Sequence, residues 1–400
     1  MTKKGRDAEG LDATLGRGNF GQTRYSAVYG RAFDEGDDLL LWGASYEADG
    51  EEISISPDED YSSDPAGGAA IVDGIKDPSS YDAGLRYSRG PWSLLAGARY
   101  CKYIEPFSAG GVTGETYKYG QYREFMGTGP GLGSTFRHFN LSYEKTLKSD
   151  IDVNMSVYRD FNRIDVALII DPSIQKIGIP QWTESDMGFM GHVRKHYEWN
   201  GVGSGNLLVG VQYDGMKLTD SMFPLGTGGE YTSIADNSDV RVLETGEEEI
   251  YSAFSQLKQR IRNQYIFNLG VRYDNKNRHD GPRIGNFSPR LAAIYLPNAR
   301  FNVKLSYSQS FVDAPYWYRY NSLASYRGAR DLEPEHLTSV QFTPTIALKG
   351  GRITNLLNFF YNDLTHFIYR DNNAAPTEPI YRNAGDASVR EGRPSAGSSS

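Results

Sequence analysis

The sequence has no run of about 18 apolar residues, so it holds no membrane-spanning helix. It has one cysteine, Cys101, which cannot form an internal disulfide and reads as a buried or unused thiol. It has no excess of cations: the formal net charge is -8, which argues against nucleic acid as a partner. The first ten residues, MTKKGRDAEG, contain no apolar core of a signal peptide. No catalytic set stands out. His192 and His196 are four apart, which on a strand separates them by about 13 Å, so a metal pair is not expected. His138 shares a polar face with Asn140 and Ser142 and gives little support to a lipid-facing Ser–His hydrolase. The glycine-rich pieces at 127–134 and 201–206 miss the dinucleotide pattern and read as loop and turn glycines. No cofactor is expected.

What is present is alternation. The chain carries 28 Tyr and 44 Gly, with 13% aromatic residues, which fits many strands joined by turns. In FNVKLSYSQSF, residues 301–311, Phe301, Val303, Leu305, Tyr307 and Phe311 share one face. Asn302, Lys304, Ser306, Ser308 and Ser310 share the other. The same period recurs along the chain. It groups Tyr25, Ala27, Tyr29 and Phe33; Leu40, Trp42, Ala44 and Tyr46; and Trp92, Leu94, Ala96, Ala98 and Tyr100. It groups Ile151, Val153, Met155 and Val157, and later Tyr265, Phe267, Leu269, Val271 and Tyr273. Helical spacing fits these windows poorly.

The connections also alternate. Short polar links at 34–38, 88–91, 146–150, 198–204, 296–300 and 349–352 are interleaved with long ones at 49–80, 101–135, 161–186, 215–248, 275–286, 312–336 and 363–380. Loops of thirty residues are foreign to a compact soluble domain. Short turns on one side and long loops on the other suit an outer-membrane barrel, and about sixteen strands are expected. Eleven residues at about 3.3 Å each, tilted by about 45°, rise roughly 25 Å, the height of such a barrel's apolar band. Polar faces bearing Asp152, Arg272 or Lys304 suit a wet lumen better than a sandwich core. Two segments break the rule. Pro344 falls inside the strand expected at 337–347, where it costs a ladder hydrogen bond unless a bulge receives it. Residues 352–362 are apolar on both faces.

Two loops hold candidate sites. The loop at 312–335 brings Tyr316, Trp317, Tyr318, Tyr320 and Tyr326 together with Arg319, Arg327 and Arg330. Flat amphipathic rings and guanidinium groups suit an iron chelate, a corrinoid or a glycan. The same residues also suit an aromatic girdle at the membrane surface with lumen padding. In the acidic loop 56–64, Asp58, Asp60 and Asp64 are candidate calcium ligands, although a solvated acidic loop is the simpler reading. The last residues, GRPSAGSSS, read as a disordered tail or a foreign scar.

Several local signatures then line up in order. Thr2-Lys3-Lys4-Gly5 resembles the end of the plug domain of TonB-dependent outer-membrane receptors. Gly18-Asn19-Phe20-Gly21 resembles the turn after their first barrel strand. Leu269 to Asp274, Phe287 to Leu291, Ser310-Phe311 with Ala314-Pro315, Leu332-Glu333-Pro334-Glu335 and Tyr381 to Gly385 follow in the family's order. The resemblance implies an all-β fold, an antiparallel transmembrane β-barrel of 22 strands with a plugged lumen. About sixteen strands and no plug are present. Residues 1–10 would then be the plug–barrel junction and 11–389 a partial barrel. Residues 390–400 would be a disordered or non-native tail, and the chain a fragment lacking its C-terminal strands. The implied function is energy-coupled import across the Gram-negative outer membrane, not enzymatic catalysis. The implied partners are outer-membrane lipid, the TonB complex acting through a plug, and a small ligand such as a siderophore, corrinoid or glycan. Haem receptors of this family carry a His between a Phe-Arg-Ala-Pro box and an Asn-Pro-Asn-Leu box. Here the first box reads Phe311-Val312-Asp313-Ala314-Pro315 and no His follows before Glu335, which disfavours haem. The alternatives are a passive porin of about 16–18 strands and a soluble all-β glycan-binding or hydrolytic protein.

Overall fold

In the computed structural model, the period-2 segments are strands. The structure describes all residues except 1–2, 34–35, 50–52, 56–69, 73–76, 104–129, 149, 228–229, 233–240, 324–325, 349–352, 376 and 399–400. The candidate calcium ligands Asp58, Asp60 and Asp64 lie outside the described residues. Sixteen strands of eight residues or more are described, in line with the expected number. They are β1 (Gly10–Arg17), β2 (Thr23–Ala32), β3 (Asp38–Ala48), β4 (Asp77–Arg89), β5 (Trp92–Tyr103), β6 (Gly131–Leu147), β7 (Ile151–Asp171) and β8 (Gln181–Trp199). They continue with β9 (Gly203–Met222), β10 (Gly246–Ile261), β11 (Tyr265–Asn277), β12 (Ile284–Asn298), β13 (Phe301–Val312), β14 (Glu335–Leu348), β15 (Ile353–Thr365) and β16 (Ala387–Ser398). The ladders that join β1 to β5 and β10 to β16 are all antiparallel. Among the described residues no helix is long and apolar enough to cross a membrane, which says nothing about crossing by strands.

The chain divides into two compact units. The first holds residues 1–142, 157–187 and 216–246. Here β1 to β5 pair in sequence order. Register adds what periodicity within one strand leaves open. Leu40, Trp42, Ala44 and Tyr46 do share a face, but it is not the face of Tyr25, Ala27 and Tyr29. Trp42 pairs with Val28 and Gly84, and Leu40 pairs with Arg86, so this set lies on the side of Asp82 and Arg99. Both faces of β3 are apolar, and only the neighbours decide which turns to the wet side. Trp42 is accommodated there by Gly84, where a Cβ would come within 2.2 Å of the indole, and its Nε1 donates to Asp82 at 2.6 Å.

At the turn end of this unit, a short 3-10 turn, Gly5–Ala8, docks against β2 and β3. The Asp38 carboxylate, 1% exposed, accepts from the backbone N–H groups of Gly5 and Arg6 at 2.5 and 2.9 Å. A side chain at Gly5 would collide with the Leu39 carbonyl. The long links expected at 161–186 and 215–248 are largely ordered instead. β7 runs on to Asp171, Lys176–Gly178 pairs with it, and Leu225–Thr227 pairs with Lys176–Gly178 in turn. Val166, Ile169, Ile177, Ile179, Val242 and Leu243 are buried there.

The second unit holds residues 143–156, 188–215 and 247–400. Strands β10 to β16 form a seven-stranded meander in which each strand pairs with the next. The register carries the greasy positions across it: Phe267 faces Ala293, Ala293 faces Leu305, Leu305 faces Phe342, and Phe342 faces Phe359. Most of these side chains are about half exposed, Leu305 at 52% and Phe359 at 49%. A single face of large apolar side chains left open over five strands is a surface that water does not favour. Aromatic residues flank it at both ends. Tyr197, Trp199 and the stacked pair Tyr265 and Tyr295, 4.9 Å between ring centroids, lie near the turns. Tyr213, Tyr251 and Tyr273 lie toward the loops.

Pro344 needs no bulge. The β14–β15 ladder stops after Phe342↔Phe359 and resumes in the same register at Thr345↔Leu356, and the Thr343 hydroxyl bridges the gap to Asn358 Oδ1 at 2.8 Å. The doubly apolar β15 is also explained in part: on the polar face Phe360 lies beneath the Arg393 guanidinium, 6.0 Å from its centroid. The expectation of a disordered tail from residue 390 is corrected. Residues 387–398 are β16, paired with β15 from Leu364↔Ala387 to Ile353↔Ser398. The physical reason is the edge: β15 otherwise presents a row of unpaired backbone groups, which recruits the chain that follows.

Candidate functional site

The loop between β13 and β14 is a folded element. Pro315 has no N–H with which to continue the ladder, and a helical turn, α1 (Tyr316–Tyr320), follows it. Arg319 on this turn points inward and is fully buried. Its guanidinium grips Glu248 of β10 with two parallel bonds, 2.5 Å from Nη1 and 2.8 Å from Nη2. Its Nε donates to the Ala314 carbonyl at 2.9 Å, and Nη1 also donates to the Tyr320 hydroxyl at 2.9 Å. Lys276 of β11 bridges Glu248 and Asp313 at 2.8 and 2.6 Å. Arg278 pairs with Asp313 and donates to the Leu332 carbonyl at 2.7 Å. Three cations and two carboxylates thus form one buried network that ties both ends of the loop to β10 and β11.

The network sets the local electrostatics. Burial acts against the Asp313 carboxylate, but Arg278, Lys276 and Arg319 outweigh it and hold its pKa below the usual range. Burial likewise acts against the Arg319 charge, and Glu248 and Asp313 reverse that effect, so its pKa is raised. Burial keeps the Tyr320 phenol protonated, with its pKa pushed up.

A second layer of contacts locks this loop to the one between β15 and β16. Ala314, Ala329, Leu332, Ile380 and Tyr381 form an apolar cluster, against which Trp317 and Tyr318 pack. Tyr318 stacks on Tyr381 at 4.1 Å. Asn383 accepts from the Glu333 N–H at 2.8 Å and donates to the carbonyls of Glu333 and His366 at 3.0 and 2.7 Å. Residues 368–370 pair with 381–383 in a small hairpin. Leu332-Glu333-Pro334-Glu335 and Tyr381 to Gly385, far apart in sequence, therefore meet as loop-fastening elements.

This packing sorts the residues expected to bind a ligand. Arg319 and Tyr320 are closed to a ligand, at 1% and 2% exposure. Tyr318 is stacked within the cluster, and Tyr316 lies against Tyr320 at 4.4 Å. Trp317 and Tyr326 meet edge to face at 6.0 Å, and Tyr326 remains 37% exposed. Arg327 and Arg330 are on the same loop, Arg330 exposed and paired with Asp280 at 2.6 Å. Sequence reasoning missed Arg370, which lies over the Tyr326 ring at 5.0 Å. Its only signal was its place in a second long loop, with nothing to show that the two loops meet. Of the two histidines four apart, His196 bonds Asp152 at 2.9 Å. His138 bonds Asp160, while the Ser134 hydroxyl is spent on Asn162.

An all-β chain of long antiparallel strands, with one apolar face, one polar face and fastened outer loops, defines the wall of an outer-membrane-type β-barrel. The family model of the TonB-dependent receptor-like β-barrel matches residues 106–392, and the chain belongs to that family. Its fold is that family's antiparallel transmembrane β-barrel. Among solved structures, the chain is similar to the ferric-catecholate import receptor Fiu of E. coli K12, at 11% identity and a TM-score of 0.61, covering 99% of this chain and 63% of that one. It is similar to the siderophore receptor PirA of Acinetobacter baumannii, at 13% identity and a TM-score of 0.61, covering 97% of this chain and 59% of that one. It is also similar to the hemophore receptor HasR of Serratia marcescens, solved with its hemophore HasA and heme, at 11% identity and a TM-score of 0.60, covering 95% and 59%. The chain thus spans about three fifths of the length of these structures. Among curated proteins, none matches the sequence significantly.

Proposed function

We propose that this chain supplies wall and outer loops of a receptor that captures a scarce ligand outside the cell and admits it across the outer membrane. The ligand is an iron chelate, a corrinoid or a glycan. The energy comes from the TonB complex acting through a plug, and the protein transports rather than catalyses. The observation that carries this reading is the fastened loop pair. Loops held by a buried ion network and a stacked Tyr318–Tyr381 pair present Trp317, Tyr326, Arg327, Arg330 and Arg370 on a preformed support, which lowers the ordering cost of binding. Rings and guanidinium groups of this kind suit the flat, anionic outline of a metal chelate. A passive porin has no need of such a support.

The test is uptake in the source cell. Deleting the gene and supplying radiolabelled ferric chelates, a corrinoid and an oligosaccharide in turn should abolish uptake of one class. The protein should fractionate with the outer membrane in a band heavier than 44.6 kDa. Unchanged uptake of all three classes, or recovery in the soluble fraction, would sink the reading.

A further inference from the structure

The outer ends of β14 and β15 bring together three side chains that neither the buried ion network nor the exposed ring surface uses. His336 is the second residue of β14, and His366 follows directly on β15. Glu333 lies two residues before β14. Register sets His336 opposite Phe311 on one side and Thr365 on the other. The Nε2 atom of His366 is 3.0 Å from Glu333 Oε2. The rings of His336 and His366 meet edge to face, 6.1 Å between centroids. His336 is within electrostatic reach of both partners.

The backbone fixes this arrangement. Asn383 bonds the main chain of both Glu333 and His366, so two of the three residues share one anchor. His366 has φ of 57°, a left-handed conformation uncommon outside glycine, at the point where β15 ends and its ring comes beside His336. Phe311 stacks against the His336 ring at 6.3 Å and limits how it can turn. No hydrogen bond among the described residues engages the His336 ring nitrogens, so a half-buried imidazole is left with free donor and acceptor sites. Glu335, the neighbouring carboxylate, is occupied elsewhere and accepts from the Ile368 N–H at 2.8 Å.

Two imidazoles and one carboxylate are ligands for a divalent transition-metal ion of the zinc class, whereas Ca²⁺ and Mg²⁺ take oxygen-only sets. At metal–ligand bonds of about 2.0–2.1 Å, neighbouring donors of a tetrahedral ion lie about 3.3 Å apart, and two imidazole ring centres about 5.2 Å apart. The His366–Glu333 spacing of 3.0 Å is already near the first value, and the ring separation of 6.1 Å exceeds the second by about 1 Å. Among the described residues no three such side chains already converge on one point. This set closes by turning the His366 ring, which is exposed and has room to move.

We propose that His336, His366 and Glu333 form a surface site for one divalent transition-metal ion at the outer rim of β14 and β15, with water completing the tetrahedron. The bound ion would join the start of β14 to the end of β15 and tighten the loop pair that Asn383 fastens. The inference stands apart from the import reading and does not depend on it.

The test uses zinc chloride and the protein as the source cell makes it, extracted from the outer membrane in detergent and stripped of metal with a chelator. Calorimetric titration reads the binding, and diethylpyrocarbonate modification mapped by mass spectrometry reads which histidines the ion covers. A site for one Zn²⁺ should fill in the presence of excess Mg²⁺ and Ca²⁺. Its filling should shield His336 and His366 together and leave the reactivity of His196 unchanged. The double variant H336Q/H366Q should weaken binding by about tenfold or more, while H196Q keeps it. The shielding pattern is read on the unaltered protein, so it decides the matter if the double variant fails to fold. No zinc binding, or undiminished binding in a folded double variant, overturns the site. Shielding of His366 without His336, or equal shielding of His196, overturns it as well, because the ion is then not held by this set.

Discussion

Arg319 shows how a residue read as a ligand contact becomes a fastener. A guanidinium among tyrosines in an outer loop is, from sequence, equally suited to an external anion and to an internal carboxylate. Glu248 is 71 residues away, and nothing local marks it as the partner. Removing one member of a buried pair leaves an uncompensated charge and costs about 3–5 kcal/mol. Arg319→Ala should therefore free the loop, seen as faster amide exchange across 314–332 and new tryptic cleavage at Arg327 and Arg330. Arg319→Lys should not restore protection, because an ammonium cannot make the parallel bonds to both Glu248 oxygens. Asp313 adds a pH dependence of defined sign. Its folded-state pKa is depressed below its ordinary value of 3.8, so its contribution is complete above that value and is lost as pH falls through the folded one. The Trp317 emission, taken as the difference from Trp317→Phe, should hold steady from about pH 8 to 5 and shift only below about pH 4. A transition near pH 6 would show that a histidine, not Asp313, controls the loop.

Strands were legible where each face meets a different medium. β13 reads correctly from FNVKLSYSQSF alone because apolar and polar positions alternate along it, broken only by Gln309 on the apolar face. β3 was misleading because Leu39 and Leu41 on one face and Leu40 and Trp42 on the other are all apolar, and only pairing with Arg86 and Gly84 breaks the tie. The strands β7 to β9 are 19 to 21 residues long, and their extensions were hidden because the alternation loses its cause outside the membrane. The meeting of the Leu332 and Tyr381 motifs could not be read at all, since it depends on which long loops are neighbours. The face assignment itself is testable by paired substitutions on β13. Leu305→Arg should cost about 2–4 kcal/mol at mid-membrane, while Ser306→Arg, one residue on, should be nearly neutral. Urea unfolding in lipid vesicles measures both, and equal costs would mean that the two faces see the same surroundings.

The whole chain must reconcile a mean hydropathy of -0.54 with an apolar surface spread over many strands. It does so by placing the apolar residues at the surface and the charges on the wet side, the reverse of a soluble protein. If that surface is lipid-facing, its height is set by the two aromatic belts. From Tyr265 to Tyr273 the strand climbs eight residues, about 27 Å along its axis and roughly 19 Å vertically at a tilt of 45°. The centre of that span is Leu269, 43% exposed, and its turn-side edge is near Trp199, 57% exposed. Depth-dependent fluorescence quenching checks this in vesicles whose lipids carry bromine at chosen positions along the acyl chain. With the other tryptophans replaced by phenylalanine, Trp199 should be quenched best by bromines near the headgroups, because an indole N–H holds the ring at the interface. A Leu269→Trp substitution should be quenched best by bromines near the chain ends. If both positions respond alike, or if neither is quenched while the protein stays folded, the apolar face is covered by protein instead, and the membrane orientation derived from the register is wrong.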